Sequence, residues 1–154
     1  MQDNSSVMEV IDARALAVRA HGDQRDRDGT FHLQHVARVA EAVPRSDGHQ
    51  RVAWLHDVLE DTDVTTDVLD PRLPDLEFKA LLLLTHDSGE PYDDYVGRIA
   101  SAEGAAGSLA RAVKEADMLD NLRRCSLARD PAVAKYGRGL ATLWRSSDET
   151  VSAA

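Results

Sequence analysis

The chain has 154 residues, of which 43% are hydrophobic and 29% charged, enough for one globular domain with an apolar core. Its formal net charge of -9 argues against a general binder of nucleic-acid polymers or anionic membranes, since both need a basic surface. A small anionic substrate, held by a metal ion and a few local arginines, stays compatible with that charge.

The start, Met1-Gln2-Asp3-Asn4, lacks the basic and apolar runs of a signal peptide, and Leu81 to Leu84 is too short an apolar run to span a bilayer. Cys125 is the single cysteine, so no internal disulfide forms, and the expected setting is a reducing cytoplasm. No activating base stands near Cys125 in sequence. It reads as a half-buried, small apolar residue. With aromatics at 5%, Leu, Val and Ala must fill the core.

Val7 to Ala20 carries an approximate helical stripe (Val7, Met8, Ile11, Leu16, Ala17, Val18), with Ser5 and Ser6 as capping candidates and His21-Gly22 as its end. The charged loop from Asp23 to Thr30 contains Arg25 and Arg27, the best local candidates for holding phosphate or stacking on a base. Phe31 to Val43 reads as a second helix. His35 lies beside its apolar stripe and can point inward, whereas His32 reads as a loop-junction residue. A turn over Pro44 to Gly48 leads to a third helix, His49 to Glu60, with Asp47 as a capping candidate and Trp54 on its core side. Thr65 or Thr66 caps a short helix through Leu69, Pro71 and Pro74 punctuate the chain, and Leu76 to Leu84 forms a buried helix. His86-Asp87 reads as a loop feature. Tyr92 to Ala102 is amphipathic, Gly104 and Gly107 form a linker, and Ser108 to about Leu127 is a long helix with Asp117 and Asn121 on one face. Pro131 opens a last helix, roughly Ala132 to Trp144, and Thr150 to Ala154 is expected to fray. No run alternates with a period of two and no glycine-rich phosphate loop follows a strand. The expected fold class is all-α.

Chemistry concentrates in Trp54-Leu55-His56-Asp57-Val58-Leu59-Glu60-Asp61-Thr62. On a helix the neighbours His56 and Asp57 project about 100° apart, too far for one amphipathic face, yet both reach an ion over the helix end. Glu60 and Asp61 return to the same side at i+4. Carboxylates near a helix C-terminus are disfavoured by its partial negative charge, a penalty that a cation reverses. With His35 and Asp117 from other helices, these residues form a nitrogen and carboxylate set suited to a divalent transition ion such as Mn²⁺, Fe²⁺, Co²⁺ or Zn²⁺.

The order and context of these residues resemble the HD-domain superfamily of metal-dependent phosphohydrolases, and within it the hydrolase domain of alarmone synthetase/hydrolases and their small stand-alone relatives. Leu55 to Thr62 is similar to that group's Leu-His-Asp-Val-x-Glu-Asp-Thr segment. Lys114 to Asn121 is similar to its Lys-x-Ala-Asp-x-x-x-Asn segment, and Ala20 to Arg25, with Gly29 and His35, to its opening region. The resemblance spans about Ala13 to Arg124. It implies an all-α, single HD-domain helical bundle over residues 1–154, with its core at about 7–146. It implies His35, His56, Asp57 and Asp117 as metal ligands and Glu60 and Asp61 as the pair that orients and deprotonates the attacking water. It also implies Asn121 as a substrate-contacting amide and Arg27 as the residue stacking on guanine. Spacing alone does not choose between Asp117 and Asp120; the resemblance selects Asp117. The chain departs from the family at Val36, where a proline is frequent, at Asp26-Arg27, where two basic residues are, at Thr30-Phe31 in place of Pro-Tyr, and at Thr85-His86 in place of Thr-Lys. These changes leave the metal set intact and fall on the guanine and phosphate contacts. The segment from Leu84 to Tyr95 also resembles a group of short bacterial HD proteins.

The implied activity is hydrolysis of a small nucleotide, with guanosine 3′,5′-bis(diphosphate) as first substrate and pyrophosphate as product. Two alternatives stand beside it: the same machinery on another phosphomonoester or phosphodiester, and a non-catalytic module in which the ion staples the helices. A purely structural site has no need of Glu60-Asp61.

Overall fold

Helix ends in this chain fall where backbone chemistry forces them. In the computed structural model, which describes residues 6–152, α1 (Val10–His21) stops at Gly22, whose φ of 52° suits glycine. The chain continues through α2 (His32–Ala42), α3 (Asp47–Leu55), α4 (Val58–Asp61), α5 (Thr66–Leu69), a 3₁₀ turn (Asp70–Arg72), α6 (Asp75–Leu84), α7 (Tyr92–Ser101), α8 (Gly104–Ala128) and α9 (Val133–Ser152). Pro74 and Pro91 stand as N-caps of α6 and α7, where a missing N–H costs nothing. Among the described residues there is no strand, only an isolated bridge between Arg25 and Phe31. The all-α expectation holds. No described helix is long and apolar enough to cross a membrane.

Several expected boundaries move. Glu9, not Ser6, caps α1, in a reciprocal arrangement with Asp12; Ser5 lies outside the described residues. Ser46, not Asp47, caps α3, its hydroxyl accepting from His49 N. The last helix runs two turns beyond Trp144 to Ser152, and the expected fraying at Thr150 to Ala154 extends outside the described residues.

Two corrections bear on the architecture. Gly104 and Gly107 are not a linker: α8 begins at Gly104, and Gly107 lies within it, buried against the end of α7. A Cβ on Gly107 would stand 2.2 Å from the Ala102 carbonyl oxygen, so the glycine is there for close approach. The expected helix from His49 to Glu60 is also not continuous. It ends at Leu55, and a new turn, α4, starts at Val58.

The core has two parts. One gathers Val39, Val52, Ala80, Ile99, Val113 and Leu140 from α2, α3, α6, α7, α8 and α9. The other gathers Met8, Leu16, Leu55, Val58, Leu69 and Leu81 around α1 and α4. Trp54 packs against both, with Arg14 lying over its ring. Arg51 and Glu77 form a buried two-point ion pair at 2.7 Å per contact that ties α3 to α6. Leu55 and Val58 are wholly buried on either side of His56-Asp57, so the interruption of the helix is pinned from both ends.

Gly107→Ala is expected to destabilise by about 1–3 kcal/mol through overpacking. Gly137→Ala in α9, where an added Cβ meets nothing within 4 Å, should stabilise by about 0.4–1 kcal/mol. Urea unfolding of the two variants checks the pair; equal effects would rule out the close-approach account.

Candidate metal centre and cleft

The interruption at His56-Asp57 decides the geometry. His56 Nδ1 donates to the Ala53 carbonyl at 2.7 Å, the acceptor that Asp57 N–H would use in an uninterrupted helix. Asp57 takes φ −105°, ψ −2°, in the bridge region, and its carbonyl accepts from Asp61 N to start α4. The kink aims both adjacent side chains into one space. His56 Nε2 is buried with no hydrogen-bond partner and lies 3.2 Å from Asp57 Oδ2 and 3.8 Å from Asp117 Oδ1.

His35 reaches the same point from α2. Its Nδ1 donates to Asp120 Oδ2 at 2.7 Å, leaving Nε2 3.1 Å from Asp117 Oδ1 and 3.8 Å from Asp57 Oδ2. Four side-chain atoms, two imidazole nitrogens and two carboxylate oxygens, therefore converge from α2, the α3–α4 break and α8. His35, His56 and Asp117 form a buried group able to hold a metal ion, and His32, Asp57 and Asp61 form a second such group beside it. The orphaned Nε2 of His56 and this donor chemistry fit a divalent cation.

Neighbouring charges set the protonation of these groups. Burial works against a charged His56, but Asp57 and Asp117 outweigh it and push its pKa up to about 9. Burial likewise opposes charge on His32, and Asp57 and Asp26, one at each ring nitrogen, bring it up to about 9. Burial would raise Asp117, yet Lys114 and the imidazoles hold it well below the usual carboxylate range. Lys114 Nζ donates to Asp117 Oδ2 at 2.7 Å and lies 4.7 Å from the centre of the Tyr95 ring. Glu60 and Asp61 move the other way: burial and the charge of Asp57 raise both above ordinary carboxyl values.

The cavity over this set measures about 270 Å³ and opens into an outer cleft of about 490 Å³. Glu60 stands at its edge, with Oε1 accepting from His86 N at 2.6 Å; Asp61 faces the outer cleft. Asn121 borders the cavity and donates to Asp117 Oδ1 at 2.8 Å, so its amide orients a carboxylate here. Arg27 is exposed on the outer cleft. Arg25 is not brought to the cavity: its guanidinium lies 3.6 Å over the Phe31 ring and donates to the Gly29 carbonyl.

Sequence reasoning missed several participants. His32 is at a loop junction, but it is buried and faces Asp57. Asp120 is no bystander, because it fixes the ring of His35 and also binds Arg38. His86 lines the cavity and stacks on Tyr95 at 4.5 Å. Lys135 and Tyr136 of α9 border both spaces, outside any recognisable motif. His21 ends α1 as expected, but its ring is buried 4.8 Å from that of His32. Cys125 is half-buried, and burial pushes its thiol up, away from the nucleophilic thiolate.

No family model matches this sequence, and no curated protein matches it. Among solved structures, a metazoan ortholog of SpoT, a protein that hydrolyzes ppGpp and plays a role in starvation responses, superposes with a TM-score of 0.70. The match covers 91% of this chain and 92% of that one, at 23% identity. The chain shares the all-α fold of that protein. The likeness shows the fold alone, an all-α bundle, with sequence similarity too low to carry the reaction across.

Because the imidazoles are held protonated without metal, an entering cation must displace protons. Mn²⁺ affinity is expected to rise about tenfold per pH unit from His56 alone between about pH 6 and about pH 9. Calorimetry in buffers of different ionisation enthalpy reads the proton release; a pH-independent affinity would contradict the assignment. Asp120→Ala should free the His35 ring and weaken Mn²⁺ binding about 10–100-fold.

Proposed function

We propose that the chain is a metal-dependent phosphohydrolase acting on a small nucleotide, with guanosine 3′,5′-bis(diphosphate) as first substrate and its 3′-pyrophosphate as the group removed. The observation that carries the reading is the convergence of His35 Nε2, His56 Nε2, Asp57 Oδ2 and Asp117 Oδ1 within 3.1–3.8 Å of their neighbours, beneath a polar cavity edged by Glu60. The fold shared with a ppGpp hydrolase supports it.

When bound, a divalent cation acidifies water and polarises a phosphoryl oxygen. The chain's own residues hold and prepare the site. Asp120 and the Ala53 carbonyl lock the two imidazoles with Nε2 inward. Lys114 and Asn121 fix Asp117. Glu60 and Asp61, both with raised proton affinity, are placed to accept a proton from attacking water. Attack on the phosphorus bonded to the 3′ oxygen breaks that P–O bond and releases pyrophosphate, leaving the nucleotide with a 3′ hydroxyl. Arg27 and Lys135, on the outer cleft, are the cationic groups available to the remaining phosphates.

A second reading, the same machinery on another phosphomonoester or phosphodiester, is favoured by Asp26. Its carboxylate borders the cavity where a multiply charged alarmone would approach. Metal-free protein reloaded with Mn²⁺ and given a substrate panel, followed by phosphorus NMR, separates the readings. Pyrophosphate release from the alarmone, reduced at least about a hundredfold in Asp57→Ala, is the expected result. Turnover only of another ester would move the substrate; no turnover with metal verified as bound would favour the metal-stapled module.

A further inference from the structure

A second set of donors stands at the mouth of the same cavity. His32 Nε2 lies 2.9 Å from Asp57 Oδ2 and 3.8 Å from Asp61 Oδ2, and one ligand atom from each of the three residues falls within 4.8 Å of the others. The far side of the His32 ring is held: Nδ1 donates to Asp26 Oδ1 at 2.8 Å, and Asp26 Oδ2 accepts from Arg124 at 2.8 Å. A carboxylate behind an imidazole is the arrangement that fixes the tautomer and sharpens the free nitrogen as a ligand. His32 is 7% exposed, so this is a built side chain and not a surface histidine.

We propose that His32, Asp57 and Asp61 hold a second divalent cation, with the Asp57 carboxylate shared between it and the first. The inference rests on reading the inner set as a cation site. Asp57 Oδ2 faces both groups, 3.2 Å from His56 Nε2 on one side and 2.9 Å from His32 Nε2 on the other. Paired ions about 3.5–4 Å apart are a recurrent device for clamping the attacking and leaving oxygens of a phosphoryl group. Charge supports the same conclusion. Asp26, Asp28, Asp57, Glu60, Asp61, Asp117 and Asp130 line the two spaces, against Arg27, Lys114, Arg124 and Lys135. One divalent ion leaves this set net negative. A second leaves it net positive, which a phosphorylated substrate requires. The two acids then divide their roles: Asp61 becomes a ligand, and Glu60, held by the His86 backbone, is left to accept the proton.

Ion stoichiometry tests this without relying on turnover. The metal-free full chain is titrated with Mn²⁺ by calorimetry, and the loaded protein is examined by low-temperature electron paramagnetic resonance. The expected result is two ions per chain with the spectrum of an exchange-coupled pair. His32→Ala and Asp61→Asn should each lose the weaker ion, or bind it at least about tenfold less tightly, and lose the coupling, while the tighter ion stays. Glu60→Gln should keep both. Asp61 is exposed, so its variant remains informative should His32→Ala fail to fold. One ion per chain at Mn²⁺ saturation overturns the second site and leaves the hydrolase reading standing. Two ions indifferent to both variants also overturn it, and no ion at all overturns both readings.

Discussion

The site depends on a helix that stops at Leu55, five residues before its sequence says it should. His56 and Asp57 are adjacent, and on a regular helix their side chains diverge. What turns them toward one point is the bond from His56 Nδ1 to the Ala53 carbonyl, together with the burial of Leu55 and Val58 on either side. The bond occupies an acceptor that the helix would otherwise use, and the two apolar anchors leave the backbone no freedom to smooth out the kink. Folding energy from the second core is thereby spent on aiming two side chains. A cavity-forming change at Leu55 would act on the site as well as on stability.

Four of the donors are held from behind. His35 has Asp120, His56 has a backbone carbonyl, Asp117 has Lys114 and Asn121, and His32 has Asp26. These partners come from far apart in sequence: Asp120 is 85 residues from His35, and Arg124, which steadies Asp26, is 98 from it. The long helix α8 accordingly does two jobs. Its buried face supplies Val113 and Ala116 to the core, and Lys114, Asp117, Asp120, Asn121 and Arg124 to the polar assembly. Positioning through packed carboxylates costs desolvation, and the dense pairing of opposite charges here offsets it.

What could be read from the sequence was set by locality. Helix periodicity and the punctuation at Gly22, Pro74 and Pro91 are local signals, and they gave the all-α fold and most boundaries within a few residues. The donors that the structure brings together, His35, His56, Asp57 and Asp117, were legible because they sit in short motifs. The break at His56-Asp57 was not, since neither residue is a helix breaker and the cause is a side-chain bond and two tertiary anchors. Gly107 misled for a related reason: its use is close approach to Ala102, which pattern alone reads as flexibility. His32, Asp120, Lys135 and Tyr136 went unseen because their meaning lies in partners across the fold.

The centre and its rim are built on different physics, and that separates chemistry from selection. The floor is buried donors held mainly by hydrogen-bond partners behind them. The rim is the loop from Asp23 to Thr30 and one face of α9, both exposed over much of their length. On it Arg124 is already committed to Asp26 and Asp28, and Arg25 to Phe31, so neither has its charge free. Arg27 is not so tied, and Lys135 rests over Tyr92 at 4.2 Å through a cation–π contact that a phosphate can replace at small cost. Apart from Asp26, which holds His32, the residues of this rim leave the packed donors untouched. It follows that the departures divide by place: Asp26 borders both spaces, His86 lines the inner cavity, and Phe31 lies under Arg25 outside either.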